Sequence, residues 1–374
     1  MRRIAWATLA HDRTKLAGSV AGVAIAATLT FVQLGLFAGF RAACSAAISH
    51  TGGDLWVMRR GVQVFDEAPP LYDGVRPIVA AHPCVTKVRG VVLAQVPVKT
   101  PDSAPSGAFV VGFEPAQASI VPWQVVRGLP GDLEAPVRVA VDEFDLRRLG
   151  LPDNPIGARI NVGGLNGRVA VLTTGLKTFT LSPYMFSSIT NVRAMLDLTE
   201  GQSNFWVADL RDSSCAEGAI RFISARGDLD VHTTADFIQQ SEDYWLESSG
   251  AGAILKFGSG LSLLIGGAVV AQTLYALTRD HAKELAALKA LGTTMWELTR
   301  FVLWQAGMLT ALGTLLGAGL TQIIHVVGFS RGMNVVVNAH TVLTGVACML
   351  AVCVVSSSLA LRAVRKISPN AVFD

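Results

Sequence analysis

The sequence predicts a membrane α-helical protein, with four transmembrane helices in a 1+3 order and a large extracytoplasmic α+β domain between the first and second spans. Three observations predict it. Residues 16–40, 257–278, 301–330 and 339–361 each run without an Asp, Glu, Lys or Arg, and each exceeds the roughly 20 residues that cross a hydrocarbon core. The intervening segment 41–252 alternates short apolar strands with turn residues and is long enough to bury a core of its own. Charge divides along the same line, with 18 basic against 23 acidic residues in 41–252 and 13 against 5 elsewhere. At 51% hydrophobic and 16% charged, the chain is too apolar for an ordinary soluble protein.

The first apolar run is longer than the roughly 7–15-residue core of a signal peptide, so it reads as an uncleaved span at 16–40 behind a cytoplasmic segment 1–15. Arg2, Arg3, Arg13 and Lys15 precede it; Arg279, Lys283 and Lys289 lie between the second and third runs; Arg362, Arg365 and Lys366 follow the fourth. Basic residues flanking spans stay on the cytoplasmic side. Both termini are therefore expected inside, with 41–252 and the short 325–340 connection outside. The basic excess is a topology signal in a lipid bilayer, and no nucleic-acid partner is needed to explain it.

Within 41–252 two stretches look alike. Strand-like 54–58 is followed by a helix near 71–82 and a strand at 85–98. Strand-like 204–210 is followed by a helix near 214–226 and a strand at 230–233. Two strand–helix–strand units suggest a split βαβ, ferredoxin-like module over about 50–114 and 204–235. Between them, 109–113, 137–141, 158–162 and 168–172 are short and strand-like among Gly and Pro turns, which reads as an inserted β lobe over about 115–203. A helix at 235–247 leads back to spans at 253–278, 298–324 and 341–361, with a tail at 362–374. An oxidising compartment would permit a Cys84–Cys215 disulfide; nothing in the spacing favours it.

The spans carry no midplane charge, so an ion-coupled carrier lacks its usual intramembrane ionisable residue. Gly18 and Gly22, Gly35 and Gly39, and Gly313 and Gly317 are spaced for close helix approach. Gln33, Gln272, Gln305 and Gln322 are placed to hydrogen-bond across a helix interface or to sit near a span end. There is no P-loop, no H-E-x-x-H, no C-x-x-C and no G-x-S-x-G, and no His pair has metal-ligand spacing. The chain is read as non-catalytic and as binding no cofactor.

The remaining candidate lies between the second and third spans. Leu277, Leu285, Leu288 and Leu291 fall on one helical face, among Arg279, Asp280, His281, Lys283, Glu284 and Lys289. Gly292 then stands where a helix stops with a left-handed residue, and Thr294–Glu297 reads as a capping box opening the next helix. The sequence thus specifies a short amphipathic helix within 279–297, a stop, and a restart into the membrane.

Ala271-Gln-Thr-Leu-Tyr-Ala276, followed by Thr278-Arg-Asp-His-Ala-Lys-Glu-Leu-Ala-Ala-Leu-Lys-Ala-Leu-Gly292, is similar to the pattern A-Q-T-L-Y…K-D-H…E-F-G-x-L-K-A-I-G of DevC-like proteins. These are a branch of the FtsX/MacB-type permeases of ABC transporters, whose 1+3 layout the chain resembles throughout. Ala286 stands where that branch commonly has Gly, and Ser368 in the basic tail replaces its usual Asp. The resemblance implies a homodimer in the bacterial inner membrane. Residues 279–297 become a coupling helix docking on a separate ABC ATP-binding subunit, which holds the ATP and Mg. The ATPase contact would be Lys283, Glu284, Leu285, Leu288, Lys289 and Gly292. The outer domain, a porter-like lobe with the β insertion, would pass motion to a periplasmic membrane-fusion adaptor, with a TolC-type outer-membrane channel completing the path in DevC-like systems. Two other readings stay open: an FtsX-like relay that switches on an external cell-wall hydrolase, and a sensor or structural membrane protein without an ATPase.

Overall fold

The computed structural model describes residues 13–101, 103–114, 122, 124–175, 182–280, 292–329 and 335–365. The chain divides into two units, Met1–Phe40 with Gly250–Asp374, and Arg41–Ser249.

The first span belongs to a helix, α1 (Arg13–Thr51), of 39 residues. At 1.5 Å rise per residue that is nearly twice the roughly 30 Å of a hydrocarbon core. It continues past 40 because Ala and Ser sustain it, and the first break in the sequence is Gly52-Gly53, both left-handed at φ 71° and 89°. The other three apolar helices of the described residues are named below as α6 (Gly250–Asp280), α7 (Met295–Phe329) and α8 (Ala339–Arg365). All four are long and apolar enough to cross a membrane. Their inward faces meet at Ala27 and Phe31 of α1, Leu274 of α6, Leu298 and Ala306 of α7, and Met349 of α8. Gly313 and Gly317 let α7 approach α1: a Cβ at Gly317 would lie 2.6 Å from the Ala27 Cβ and 2.9 Å from the Ala24 carbonyl oxygen. The outward faces leave Ile254, Leu264, Leu315 and Leu343 about 70% exposed, which suits lipid and not water.

In the Arg41–Ser249 unit, the elements follow as β1 (Leu55–Arg59), α2 (Val75–Ala80), β2 (Val85–Lys99), β3 (Ser106–Phe113), β4 (Val125–Arg127), β5 (Arg138–Asp142), β6 (Arg159–Val162), β7 (Leu165–Thr173), β8 (Tyr184–Ser188), α3 (Ile189–Leu196), β9 (Phe205–Leu210), α4 (Ala216–Ser224), β10 (Leu229–Thr233) and α5 (Thr234–Ser248). The strands form one sheet ordered β10-β1-β9-β2-β3-β8-β5-β7-β4, with β6 against β2 and β7. Along β10-β1-β9-β2 every pairing is antiparallel. That is two interlocked split βαβ units, the ferredoxin-like arrangement.

Period-two alternation decides the layers. Leu55, Val57, Trp206 and Ala208 point to α2 and α4, where Val75, Val79, Ala219 and Ile223 complete a core. Trp56, Phe205 and Val207 point the other way, onto Phe65 and onto Phe237 of α5. The sheet continues without a gap from β2 into β3 and β8, so the β-rich insertion shares strands and core with the first lobe. Beneath it α3 is pinned by buried Asn191, whose Nδ2 donates to the carbonyls of Leu133 (3.0 Å) and Ala135 (2.9 Å), while its Oδ1 accepts from Val137 N at 3.1 Å. Cys84 and Cys215 are bonded, tying the residue before β2 to the start of α4 across a separation of 131.

Candidate coupling site

Leu274 on α6 is 2% exposed and Leu298 on α7 is 1% exposed, and both sit in the helical core. These two anchors bracket the stretch singled out in the sequence. Lys283, Glu284, Leu285, Leu288 and Lys289 lie within 281–291, outside the described residues. Gly292 is described: it is exposed and left-handed, at φ 91°, which is the helix-terminating conformation open to glycine at little cost.

Two residues on, the capping box forms as the spacing predicts. Glu297 N donates to Thr294 Oγ1 at 3.3 Å, and Thr294 N donates to Glu297 Oε2 at 2.9 Å. Two N–H groups otherwise orphaned at a helix start are satisfied reciprocally. From this cap α7 buries a stripe at Leu298, Phe301, Val302, Ala306 and Leu309, the i, i+3, i+4, i+8, i+11 spacing of a core-facing helix. The stripe does not stand out in the sequence, because it lies in a run that is apolar on every side. The exposed Gly292 thus lies six residues before the buried Leu298, with the Thr294–Glu297 cap between them.

Among the described residues, no group of three or more His, Cys, Asp or Glu could hold a metal ion. Of the four span glutamines, Gln33 Nε2 donates across to the Leu255 carbonyl of α6 at 3.4 Å. Gln272 and Gln322 are exposed. Gln305 is buried, and its Nε2 has no partner among the described residues.

Comparison with known families decides the identity. The family profile of the MacB-like periplasmic core domain matches residues 16–221, more than half of the chain, and that of the FtsX-like permease C-terminal domain matches 256–369. The chain belongs to the FtsX/MacB-type permease family. As members of that family are, it is a multi-pass transmembrane subunit of an ABC-type transporter. No curated protein matches it. Among solved structures, the periplasmic region of MacB from Actinobacillus actinomycetemcomitans is 11% identical over 52% of this permease and 94% of that chain, with a TM-score of 0.39. The extracellular domain of the noncanonic ABC-type transporter YknZ from Gram-positive bacteria is 11% identical over 48% and 98%, with a TM-score of 0.37. A domain of a putative permease protein from Porphyromonas gingivalis is 16% identical over 49% and 90%, with a TM-score of 0.34.

Proposed function

We propose that this permease is the mechanical transmitter of an ABC-type exporter of the DevC-like kind. A separate cytoplasmic ATPase closes on ATP. The motion enters at Lys283, Glu284, Leu285, Leu288, Lys289 and Gly292, and leaves through the outer domain to a periplasmic adaptor and a TolC-type channel. The working unit is a homodimer with all termini cytoplasmic.

One observation carries the reading. The left-handed Gly292 and the Thr294–Glu297 cap stand immediately before a helix whose next residue, Leu298, is buried in the core, so the chain between the contact residues and that core is short. A displacement of the segment then has few residues to cross before it reaches α7. Spans without midplane charge suit a transmitter better than a carrier, and the Cys84–Cys215 disulfide suits an outer domain beyond the reducing cytoplasm.

The test is purification of the full chain from its own host. An ABC ATP-binding subunit should co-purify, and the chain stripped of it should hydrolyse no ATP. Absence of any ATP-binding subunit, or turnover that tracks this polypeptide through mutation, overturns the reading. Recovery of a cell-wall hydrolase in place of an adaptor would replace export with the relay function.

A further inference from the structure

One face of the β2–β6–β7–β5 part of the sheet gathers four cations. Arg159 and Arg168 are directly opposed across β6 and β7, and Arg138 is in register with Arg168 across β5 and β7. Three arginines thus stand in one row on three adjacent strands. In the neighbouring row Lys99 pairs with Asn161, and Asn161 with Asn166. All six line one cleft of 730 Å³, within the range of small-ligand sites.

Three things set this row apart from an ordinary solvated face. Like charges directly opposed across strands oppose sheet formation, yet none of the four cations makes a side-chain ion pair or hydrogen bond among the described residues. Charges often guard exposed sheet edges, but Arg168 is flanked on both sides, by Arg159 of β6 and by Arg138 of β5. The surrounding segment 41–252 is net acidic, so the concentration of cations is no by-product of composition. Asn161 Nδ2 donates to Asn166 Oδ1 at 2.8 Å, which leaves the Asn166 amide N–H groups as further donors.

We propose that this cleft binds phosphoryl groups of a ligand on the outer side of the membrane. Guanidinium forks match phosphate oxygens two at a time, and a phosphoryl group carries close to two negative charges at neutral pH, so two such groups balance the four cations. A bounded cleft with clustered forks suits a compact oxyanion better than a long acidic peptide. The site is independent of the coupling helix and stands whether or not an ATPase docks there.

Inorganic pyrophosphate is the probe, titrated calorimetrically into the full chain in nanodiscs of zwitterionic lipid. The wild type should bind it, more weakly as salt rises. Arg159→Gln/Arg168→Gln should lose at least tenfold in affinity, and Arg168→Lys, which keeps the charge but not the fork, should lose less. Without anion, the double variant should melt no lower than wild type, because it relieves the opposed charges; pyrophosphate should raise the melting midpoint of the wild type only. Dihexanoyl phosphatidic acid distinguishes the sources: competition with pyrophosphate assigns a lipid headgroup, and no competition assigns a soluble phosphate. Equal pyrophosphate binding by wild type and by the folded double variant or Lys99→Gln overturns the proposal, as does binding of polyglutamate with none of pyrophosphate.

Discussion

Tyr184 on β8 donates its hydroxyl to Oδ1 of Asp66, 118 residues earlier in the chain. The bond ties the loop after β1 to the β-rich insertion, at the edge of the core that holds Trp56, Phe65, Phe205 and Phe237. Burial is what dominates the Asp66 carboxyl. It pushes the pKa from 3.8 up to about 6, against the opposing pull of the Tyr184 hydrogen bond and with help from the charge of Glu67. Asp145 moves the same way, to about 7, through burial and the nearby Asp142 charge.

The pH dependence follows. Between the unfolded and folded pKa values the folded chain holds more protons than the unfolded chain, so stability falls as pH rises through that window. The contribution is complete below pH 3.8 and is lost by about pH 6 for Asp66 and about 7 for Asp145. Asp66 should account for about 1–3 kcal/mol. Thermal midpoints of the full chain in detergent should therefore drop from pH 5 to pH 8, and Asp66→Asn should flatten that drop. A wild-type midpoint that rises over this range contradicts the assignment.

The Cys84–Cys215 bond makes a countable prediction. Of five cysteines, Cys44, Cys348 and Cys353 are free. Thiol titration of denatured, unreduced chain should find three, and five after reduction. Closing so long a loop removes much unfolded-state freedom, so reduction or Cys215→Ser should cost the outer domain about 2–4 kcal/mol. Five thiols before reduction, in chain matured in its own membrane, would remove the bond.

Packing of α7 on α1 is tested at two glycines of one helix. A side chain at Gly317 runs into Ala27 and the Ala24 carbonyl, whereas a Cβ at Gly319 meets nothing within 4 Å. Gly317→Val should lower the melting midpoint of the helical unit by an amount worth about 1–3 kcal/mol, and Gly319→Ala should hold or raise it. Equal effects at the two positions would mean that α7 does not pack on α1 through Gly317.

These sites differ in how readable they were beforehand. Gly292 and the Thr294–Glu297 box were legible because a stop and a cap are written within a few residues of where they act. The split βαβ pattern was legible because 54–58 and 204–210 each open a strand–helix–strand unit. Residues 184–188 carry no strand signal in the sequence: Tyr-Met-Phe-Ser-Ser does not alternate, and its partner β3 is parallel and about 75 residues away. The charge pattern marks a span over 16–40 and does not mark the end of its helix; α1 runs on to Thr51, and the backbone signal that ends it is the left-handed Gly52. The Cys84–Cys215 bond and the arginine row both depend on strand register, which no local spacing reveals.

The coupling assignment has its own test at Leu288. Docked in a groove of the ATPase, a leucine contributes about 1.5–3 kcal/mol by burial, and an aspartate there adds the cost of desolvating a charge. Leu288→Asp should therefore weaken ATPase docking at least tenfold and abolish export. The variant chain should still insert, because the elements that hold α7 begin beyond it, at the Thr294–Glu297 cap and at Leu298. Thr294→Ala makes the complementary change. It leaves the contact residues intact but removes one half of the cap, at about 1 kcal/mol, and should leave docking near wild type while loosening its link to transport. Membrane abundance, ATPase co-purification and export of the native cargo separate the two effects. Full export by a stably inserted Leu288→Asp chain would sink the assignment of 283–292 as the point where ATP-driven motion enters.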